Sequence, residues 1–555
     1  PTIATGTNPP IASVTRGGAS PATKSGSATL TLTGANTYTG ATVVDAGTLS
    51  IGNGGTAGSI NSASAVSVAA GATVAWNNAN TTPARTIANS ISGAGTVLLQ
   101  GQNAVNAVQT STYTMTGNNS SFTGTWQLNR AIMWGNTSQS QLGAASKVEV
   151  QDRGTLALNG GTFGNDITVQ QGAGWHHNAG GNTVLGAIRL EGINVLNGNI
   201  TLNNTNHIVL GDNSGANSTV GGYSTGDHTF NGVLSGAGDF SMSRLTGWNA
   251  GSPQAVNIRL AGASSNTYTG TTVVDGQGAL ASLWLQKTGG AVAIAGGSTV
   301  QFGSGTNGAA NLRMGGNEQF GTDNGGVVMR WENAAGNWGR FDLKGTTQTL
   351  AGLSSTTAHA SMVVQNQGTV GIVPGGYATL TLHGSGTYAA YGYVRDQDNG
   401  GITRKLNLVK NGTGYQALGN QAAGSINYTG TTIVNGGTLA HDTTLSSANG
   451  WRSAVTVNAG GTFATTGTQS NQGLASGTIT LNNGGTLTHA TTAAGAWKVW
   501  SGVLTVNGSG NTDNVNAYSD GYRVLVTRGM LNFARTDDEL AYVMAKELAH
   551  NILAH

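Results

Sequence analysis

Length, composition and charge already narrow the class of protein. The chain has 555 residues, of which 90 are Gly and none is Cys, and only 8% are charged, with a formal net charge of +2. Charged residues make up roughly a quarter of a typical globular domain, so this surface is polar but nearly uncharged. Nucleic-acid binding needs clustered Lys and Arg, and a membrane-spanning helix needs roughly 20 apolar residues in a row. We therefore expect no nucleic-acid partner and no membrane insertion by this chain.

Residues 1–28 are rich in Pro, Ser, Ala and Thr without sustained alternation, which predicts a flexible or extended N-terminal arm. From residue 29 one theme returns: an alternating strand, an N-x-aromatic-T-G corner, a β-branched strand, and a turn that leads into Gly-Thr-Leu. Clear copies lie at 30–51, 266–275 and 426–439, and a weaker copy lies at 118–126. The predicted corner residues are Asn36, Tyr38, Gly40, Asn118, Phe122, Gly124, Asn266, Tyr268, Gly270, Asn427, Tyr428 and Gly430.

Each part of this theme has a physical reason. Gly and Asn supply corners with positive φ, and Thr-Val-Val places alternate side chains inward and outward. Asn or Thr side chains at equivalent positions can stack into ladders along a rod. The pattern predicts an all-β solenoid of short parallel strands over residues 29–505, on the order of 100 Å long at about 4.8 Å per rung.

The segment N-T-Y-T-G-A-T-V-V-D-A-G-T-L-S-I resembles the autotransporter-associated β-strand repeat of type V secretion passengers. The resemblance implies a right-handed parallel β-helix that is secreted to the bacterial outer-membrane surface. It also implies an adhesive or biofilm role, but it identifies no receptor.

The composition changes near residue 514, where charged residues appear. Thr536 as N-cap and Glu539 as its capping-box partner predict a helix over about 537–553, after a hairpin-like segment. The segment 515–555 resembles the HtpX-like zinc metallopeptidases, whose helix carries H-E-x-x-H; here the motif reads K-E-L-A-H. The resemblance places Glu547 as the base and His550 as a zinc ligand, but Lys546 in the first ligand position offers no lone pair at neutral pH. We expect a vestigial site without catalysis, metal or cofactor, in a segment 514–555 that caps the rod or mediates assembly.

Two other groups of residues are weaker candidates. His176 and His177 are adjacent and would face opposite sides of a strand, so a loop or surface pair is favoured over a metal site. Asp396 and Asp398 resemble the start of a calcium loop, but Asn407 stands where the bidentate Glu belongs, which favours a solvated turn.

The sequence leaves two functions open. The leading hypothesis is an extracellular structural or adhesive rod that associates with itself, head-to-tail or laterally, and contacts surface glycans or a receptor. The alternative is a secreted hydrolase, either on a polysaccharide-binding face or at the C-terminus, although no carboxylate cluster is visible. The 11 Trp residues would stack on sugars or on a neighbouring rod, or fill the core; they include Trp284, Trp331, Trp338, Trp451, Trp497 and Trp500.

Overall fold

The computed structural model consists almost entirely of short parallel strands. It describes residues 2–4, 18–79, 84–101, 111–172, 186–203, 220–222, 227–244, 256–275, 280–303, 309–332, 338–355, 362–367, 376–399, 402–419, 426–442, 451–466, 478–489, 504–507, 517–519 and 524–526. The one helix in this part of the chain, Gln139–Leu142, is four residues long. Strands that pair are distant in sequence, so each turn of the chain hydrogen-bonds to the turn before it and the turn after it.

Two columns of paired strands build the N-terminal part. The first contains Thr2–Ala4, Ala22–Ser25, Thr42–Val44, Val66–Val68 and Ile91–Gly93. The second contains Thr29–Leu32, Thr48–Ile51, Thr73–Asn77, Thr96–Gln100, Thr125–Asn129, Lys147–Val150, Asp166–Val169, Ile200–Leu202 and Leu234–Ser235. The ladder therefore begins upstream of residue 29, and Ala22–Ser25 belongs to it and not to the predicted arm. The other domain boundaries stay predictions.

A third column begins with Arg85–Ile87, Ser111–Met115 and Ala131–Asn136 and continues into two long strands, Thr155–Phe163 and Ile188–Leu196. These two strands pair with a register shift between Asn159 and Gly161, and Gly160 and Gly192 there have φ of 75° and 62°. Positive φ at Gly allows both strands to bend around a corner of the coil. The strand Ile188–Leu196 therefore runs along two sides of the coil. After it the column divides into two, because it pairs with both Val220–Gly222 and Asp227–Phe230.

The two branches form the central part of the solenoid. One contains Val220–Gly222, Phe240–Arg244, Thr272–Asp275, Thr299–Phe302, Val328–Trp331 and Gly352–Ser355. The other, called the central column below, contains Asp227–Phe230, Val256–Leu260, Leu280–Leu285, Ala309–Met314, Gly339–Asp342, Met362–Gln365 and Tyr393–Arg395.

The C-terminal part again has two columns. The first contains Thr347–Leu350, Ala378–Leu382, Leu406–Lys410, Thr431–Val434, Ala454–Val457, Ile479–Leu481 and Leu504–Val506. The second contains Thr387–Tyr391, Tyr415–Gly419, Gly437–Asp442, Gly461–Thr466 and Thr486–His489. Two antiparallel pairs are also present, Gln397–Asn399 with Ile402–Arg404, and Ala517–Ser519 with Val524–Val526.

Alternation along each strand builds the core. In Thr42–Val44 the first and third side chains are buried and the second is half-buried. Parallel in-register pairing then stacks the inward residues of successive turns, as in the series Leu30, Leu49, Val74, Val97, Trp126 and Val148. The result is one continuous cluster of buried apolar side chains from Leu30 to Ile479. Because each rung buries its apolar face only against its neighbours, the rungs are stable only as a stack.

The predicted fold class is confirmed: the chain is an all-β parallel solenoid. Its handedness stays a prediction. The pair Ala517–Ser519 and Val524–Val526 fits the predicted hairpin-like segment, whereas the helix predicted over 537–553 lies outside the described residues.

Candidate functional site

The aromatic residue of the corner motif points into the rod. Tyr38, Tyr268 and Tyr428 are each no more than 2% exposed, and each hydroxyl is hydrogen-bonded to the Thr four residues later. The O–O distances are 2.9 Å for Tyr38 and Thr42, 2.5 Å for Tyr268 and Thr272, and 2.6 Å for Tyr428 and Thr432. Burial raises the pKa of all three tyrosines, so the hydroxyls stay neutral. These residues hold the corner together and are not placed to react with a ligand.

A Ser from the following rung completes this contact. Ser64 lies 2.8 Å from the Thr42 hydroxyl, and Ser453 lies 2.5 Å from the Thr432 hydroxyl. Thr42 pairs in register with Val66, and Thr432 pairs with Val455. Each Ser lies two residues before that Val, in an S-x-V sequence. Ser298 has the same position relative to Thr272. The sequence alone does not reveal this Ser, because it lies in a different rung from the motif.

The fourth, weaker copy replaces the whole contact. Phe122 takes the place of the Tyr, and four residues later Trp126 takes the place of the Thr. The two rings meet edge-to-face with centroids 5.0 Å apart, and the indole nitrogen donates to the Leu142 carbonyl at 2.8 Å. Both hydroxyls are lost together, so neither is left buried without a partner.

The corner Asn joins successive rungs in three copies, but one predicted residue was wrong. The Asn36 and Asn266 side chains donate to backbone carbonyls of the next rung, to Ser59 at 2.8 Å and to Ala293 at 2.9 Å. In the fourth copy the buried Asn119 makes this contact, with Gln141 at 2.7 Å. The predicted Asn118 is exposed and only caps the Ser120 amide.

In the third copy the predicted Asn427 also does not occupy the corner position. The buried Ile426 stands two residues before Tyr428, where the other strong copies have Asn. Asn427 is half-buried, and its backbone amide donates to the Val394 carbonyl at 2.9 Å. Burial, and not residue type, therefore shows which residue occupies the corner position.

The corner glycines are required for a reason different from the predicted one. None of the four has positive φ. A Cβ on any of them would instead collide with a backbone carbonyl oxygen of the preceding rung, that of Ser20 for Gly40, Gly95 for Gly124, Gly238 for Gly270 and Leu406 for Gly430. Positive φ occurs further along the same copy of the motif, at the turn that leads into Gly-Thr-Leu, where Gly47 and Gly437 have φ of 68° and 59°.

Two buried lysines precede the first and third strong copies. Lys24 pairs in register with Val44, and Lys410 pairs with Val434. The Lys24 ammonium donates to the carbonyls of Gly26 at 2.7 Å and Ala46 at 3.0 Å. Both lysines thus satisfy turn carbonyls inside the rod, and burial lowers the pKa of both.

The outward side of the central column carries a cluster that the sequence did not reveal. Arg259, Trp284 and Arg313 stand in register on successive strands, followed by Asp342, Gln365 and Arg395. We call this surface, together with Asp227, Trp338, Arg340, Lys344 and Tyr393, the arginine–tryptophan face. Three cations lie over the Trp284 ring, at 4.8 Å for Arg259 and 5.3 Å for both Arg313 and Lys344.

Two carboxylates lie among these cations. Asp227 accepts from the Arg259 Nε at 3.2 Å, and Lys344 lies 3.9 Å from Asp342. Burial raises the pKa of the Asp342 carboxyl to about 6, although Lys344 and Arg313 act in the opposite direction. Burial also lowers the pKa of Arg313. The face therefore combines low solvent access with several charges, which is the environment of a binding site more often than of a bare surface.

The other candidate residues from the sequence are structural, half-buried or outside the described residues. Asp396 is fully used by the fold, since one oxygen accepts from the Leu406 amide and the other from the Thr429 amide and hydroxyl, at 2.7 to 2.8 Å. No group of three His, Asp or Glu side chains able to hold a metal ion occurs within the described ranges. Trp331 and Trp451 are core residues, whereas Trp284 and Trp338 are half-buried. The remaining candidates lie outside the described residues: His176, His177, Trp497, Trp500, Lys546, Glu547 and His550.

Comparison with protein families agrees with this architecture. Residues 23–51, 259–281 and 408–440 match the passenger-associated-transport-repeat family, and residues 493–555 match peptidase family M48. Each repeat match contains one corner tyrosine. Searches of curated proteins and of solved structures gave no significant match.

Fold and repeat matches together support a secreted or cell-surface passenger domain. More particularly, the chain is a parallel β-solenoid in which three segments match the passenger-associated-transport repeat and a C-terminal segment is similar to peptidase family M48. In the part of the chain that the structure describes, no helix is both long and apolar enough to cross a membrane.

Proposed function

We propose that this chain is a stiff, non-enzymatic surface rod that acts by self-association in attachment, biofilm or fibre formation. The observation that carries the proposal is the single cluster of buried apolar side chains from Leu30 to Ile479, which lies beneath stacked columns of parallel strands. Because each rung packs on its neighbours, a stack of this kind is stiff along its length.

The surface of the rod supports self-association. With 8% charged residues and a net charge of +2, two rods approach each other with little electrostatic repulsion. The strands Thr2–Ala4 and Leu504–Val506 are the outermost members of their columns, and each pairs with one ladder neighbour among the described residues. A strand with one neighbour favours end-to-end addition of another strand. Lateral and head-to-tail contacts are therefore both compatible with this surface.

Electron microscopy of the purified chain tests this function. We expect rods at low concentration, and bundles or end-to-end filaments as concentration increases. Sedimentation at increasing concentration gives an independent measure of assembly. Compact isolated globules, or rods that stay monomeric at every concentration, would contradict the proposal.

The match to peptidase family M48 favours a second candidate, a metallopeptidase at Glu547 and His550. A catalytic zinc usually has three protein ligands, and Lys546 occupies the position of the first. Zinc content and casein cleavage test this candidate directly, with Glu547→Gln as the variant that removes the base. Zinc-dependent cleavage that disappears in E547Q would establish the peptidase and contradict a non-enzymatic rod.

A further inference from the structure

The arginine–tryptophan face carries an excess of positive charge. Only 24 of 555 residues are Lys or Arg, yet five lie here: Arg259, Arg313, Arg340, Lys344 and Arg395. The two carboxylates of the face are those already paired with Arg259 and Lys344. Among the described residues, Arg313, Arg340 and Arg395 have no carboxylate within ion-pair distance. Three guanidinium groups of this face thus have no direct ion-pair partner among the described residues, although Asp342 and Asp227 interact with Arg313 at longer range.

These guanidinium groups are also partly withdrawn from water. Arg313, Arg340 and Arg395 are all half-buried. Burial lowers the pKa of Arg395 first, and the nearby Arg340 lowers it further. Water screens half-buried charges less than fully exposed ones, so the neighbouring cations repel one another, and a bound anion would relieve this repulsion.

The cations are arranged along the rod and not around a point. Arg259, Arg313, Arg340 and Arg395 project from the strands Val256–Leu260, Ala309–Met314, Gly339–Asp342 and Tyr393–Arg395. Arg259 and Arg395 lie on the first and last of six successive strands of the central column, which are five rungs or about 24 Å apart at about 4.8 Å per rung. A row of this length fits an extended chain with several negative groups better than one small anion.

Aromatic rings border the same row. Trp338 and Tyr393 lie 5.7 Å apart at an angle of 52°, and both are half-buried. Arg340 lies over Trp338 and Arg395 lies over Tyr393, with distances of 5.9 Å and 5.6 Å to the ring centroids. Each ring is therefore beside a planar fork of donors that matches a carboxylate. The apolar face of a sugar ring packs on such aromatic surfaces.

We infer that the arginine–tryptophan face binds a carboxylated polysaccharide along the rod. The guanidinium groups contact the carboxylates, and Trp338 and Tyr393 contact the sugar rings. This inference names a ligand class for a surface passenger, but it does not require the rods to assemble. Its test uses the soluble full-length chain at a concentration below any assembly.

The experiment measures binding of polygalacturonate to the wild-type chain and to Arg340→Gln. We expect binding that weakens with salt, and a loss of about tenfold in R340Q from one charge-assisted contact. The matched control is Arg330→Gln, because Arg330 lies on the neighbouring column and pairs with Glu332 at 3.0 Å. R330Q removes the same charge outside the face and should change affinity by less than about twofold. Asp342→Asn removes a negative charge from the face and should strengthen binding.

The outcomes separate the ligand class from general charge attraction. Neutral dextran should bind at least tenfold more weakly than polygalacturonate. Equal binding of polyphosphate or single-stranded DNA would overturn the saccharide assignment. Unchanged affinity in both R340Q and Arg395→Gln, with melting curves that show folded protein, would overturn the site. R395Q serves as the second variant if R340Q fails to fold, and filament formation is scored separately.

Discussion

A hydroxyl buried between two rungs is stable only when its hydrogen-bonding capacity is used. In the third repeat, the hydroxyls of Tyr428, Thr432 and Ser453 form a chain, and the Trp451 indole also donates to Ser453 at 2.6 Å. The Thr is the middle member and touches both neighbours. Its removal leaves two buried hydroxyls without this partner, which makes it the most sensitive residue of the corner.

We predict that Thr432→Val lowers the free energy of unfolding by about 2 kcal/mol, because the side chain keeps its shape but loses both contacts. Urea denaturation followed by tryptophan fluorescence measures the change. Thr431→Val is the matched control, since Thr431 is exposed and its hydroxyl meets only Asn407 at 3.2 Å; it should cost less than about 0.5 kcal/mol. Equal effects of the two substitutions would show that the buried hydroxyl chain contributes nothing.

Asp342 gives a prediction about pH. Its pKa rises from 3.8 to about 6 on folding, so the folded state disfavours the carboxylate and gains stability as pH falls from 7 towards 4. Relative to Asp342→Asn, the wild-type chain should therefore become more stable over that range, on the order of 3 kcal/mol at most. Lys344 and Arg313 face the carboxyl and stay charged throughout. Burial lowers the pKa of His228 to about 4, which has the opposite effect, but it is present in both proteins and cancels. Parallel pH profiles of the two chains would contradict the prediction.

At the scale of strands, one polar ladder runs along the C-terminal part. Asn411, Asn435, Asn458, Asn482 and Asn507 each directly follow a strand of the same column, with amide contacts of 2.8, 2.6, 2.6 and 3.1 Å. In each contact the later Asn donates to the earlier one. The predicted Asn ladder is thus present, and it has a direction: interior members both donate and accept, whereas the first and last make one contact each.

We predict that Asn458→Ala destabilises the strands on either side by about 1 kcal/mol, because two amide contacts are lost at a partly exposed position. Hydrogen exchange should become faster in Ala454–Val457 and Ile479–Leu481, with no change in the distant Thr48–Ile51. Asn411→Ala removes one contact at the end of the ladder and should have about half the effect. If both substitutions changed exchange equally, the ladder would not act as a connected unit.

At the scale of the whole molecule, the repeat architecture could be predicted from the sequence, because the hydrophobic alternation and the N-x-aromatic-T-G corner motif each lie within a short stretch of chain. It did not predict the arginine–tryptophan face, because the intervals from Arg259 through Trp284, Arg313, Asp342 and Gln365 to Arg395 are 25, 29, 29, 23 and 30 residues. Because the rungs have unequal lengths, the sequence does not show which residues of different rungs lie on the same face. The same uncertainty explains Asn118, since only the buried position of Asn119 shows which of two adjacent Asn residues reaches the next rung.

The last prediction concerns the ends of the rod. A chain that stops at residue 507 keeps the continuous core from Leu30 to Ile479, so we expect an unchanged thermal transition and single rods in electron micrographs. If the segment 514–555 supplies the head-to-tail contact, this truncated chain should form no end-to-end filaments, because an open filament needs both complementary surfaces. Glu547→Gln in the full chain is the control and should assemble normally, since assembly does not depend on catalysis. Filaments of normal length from the truncated chain would instead assign the contact to the solenoid itself, where the C-terminal strand Leu504–Val506 would be the edge available for pairing.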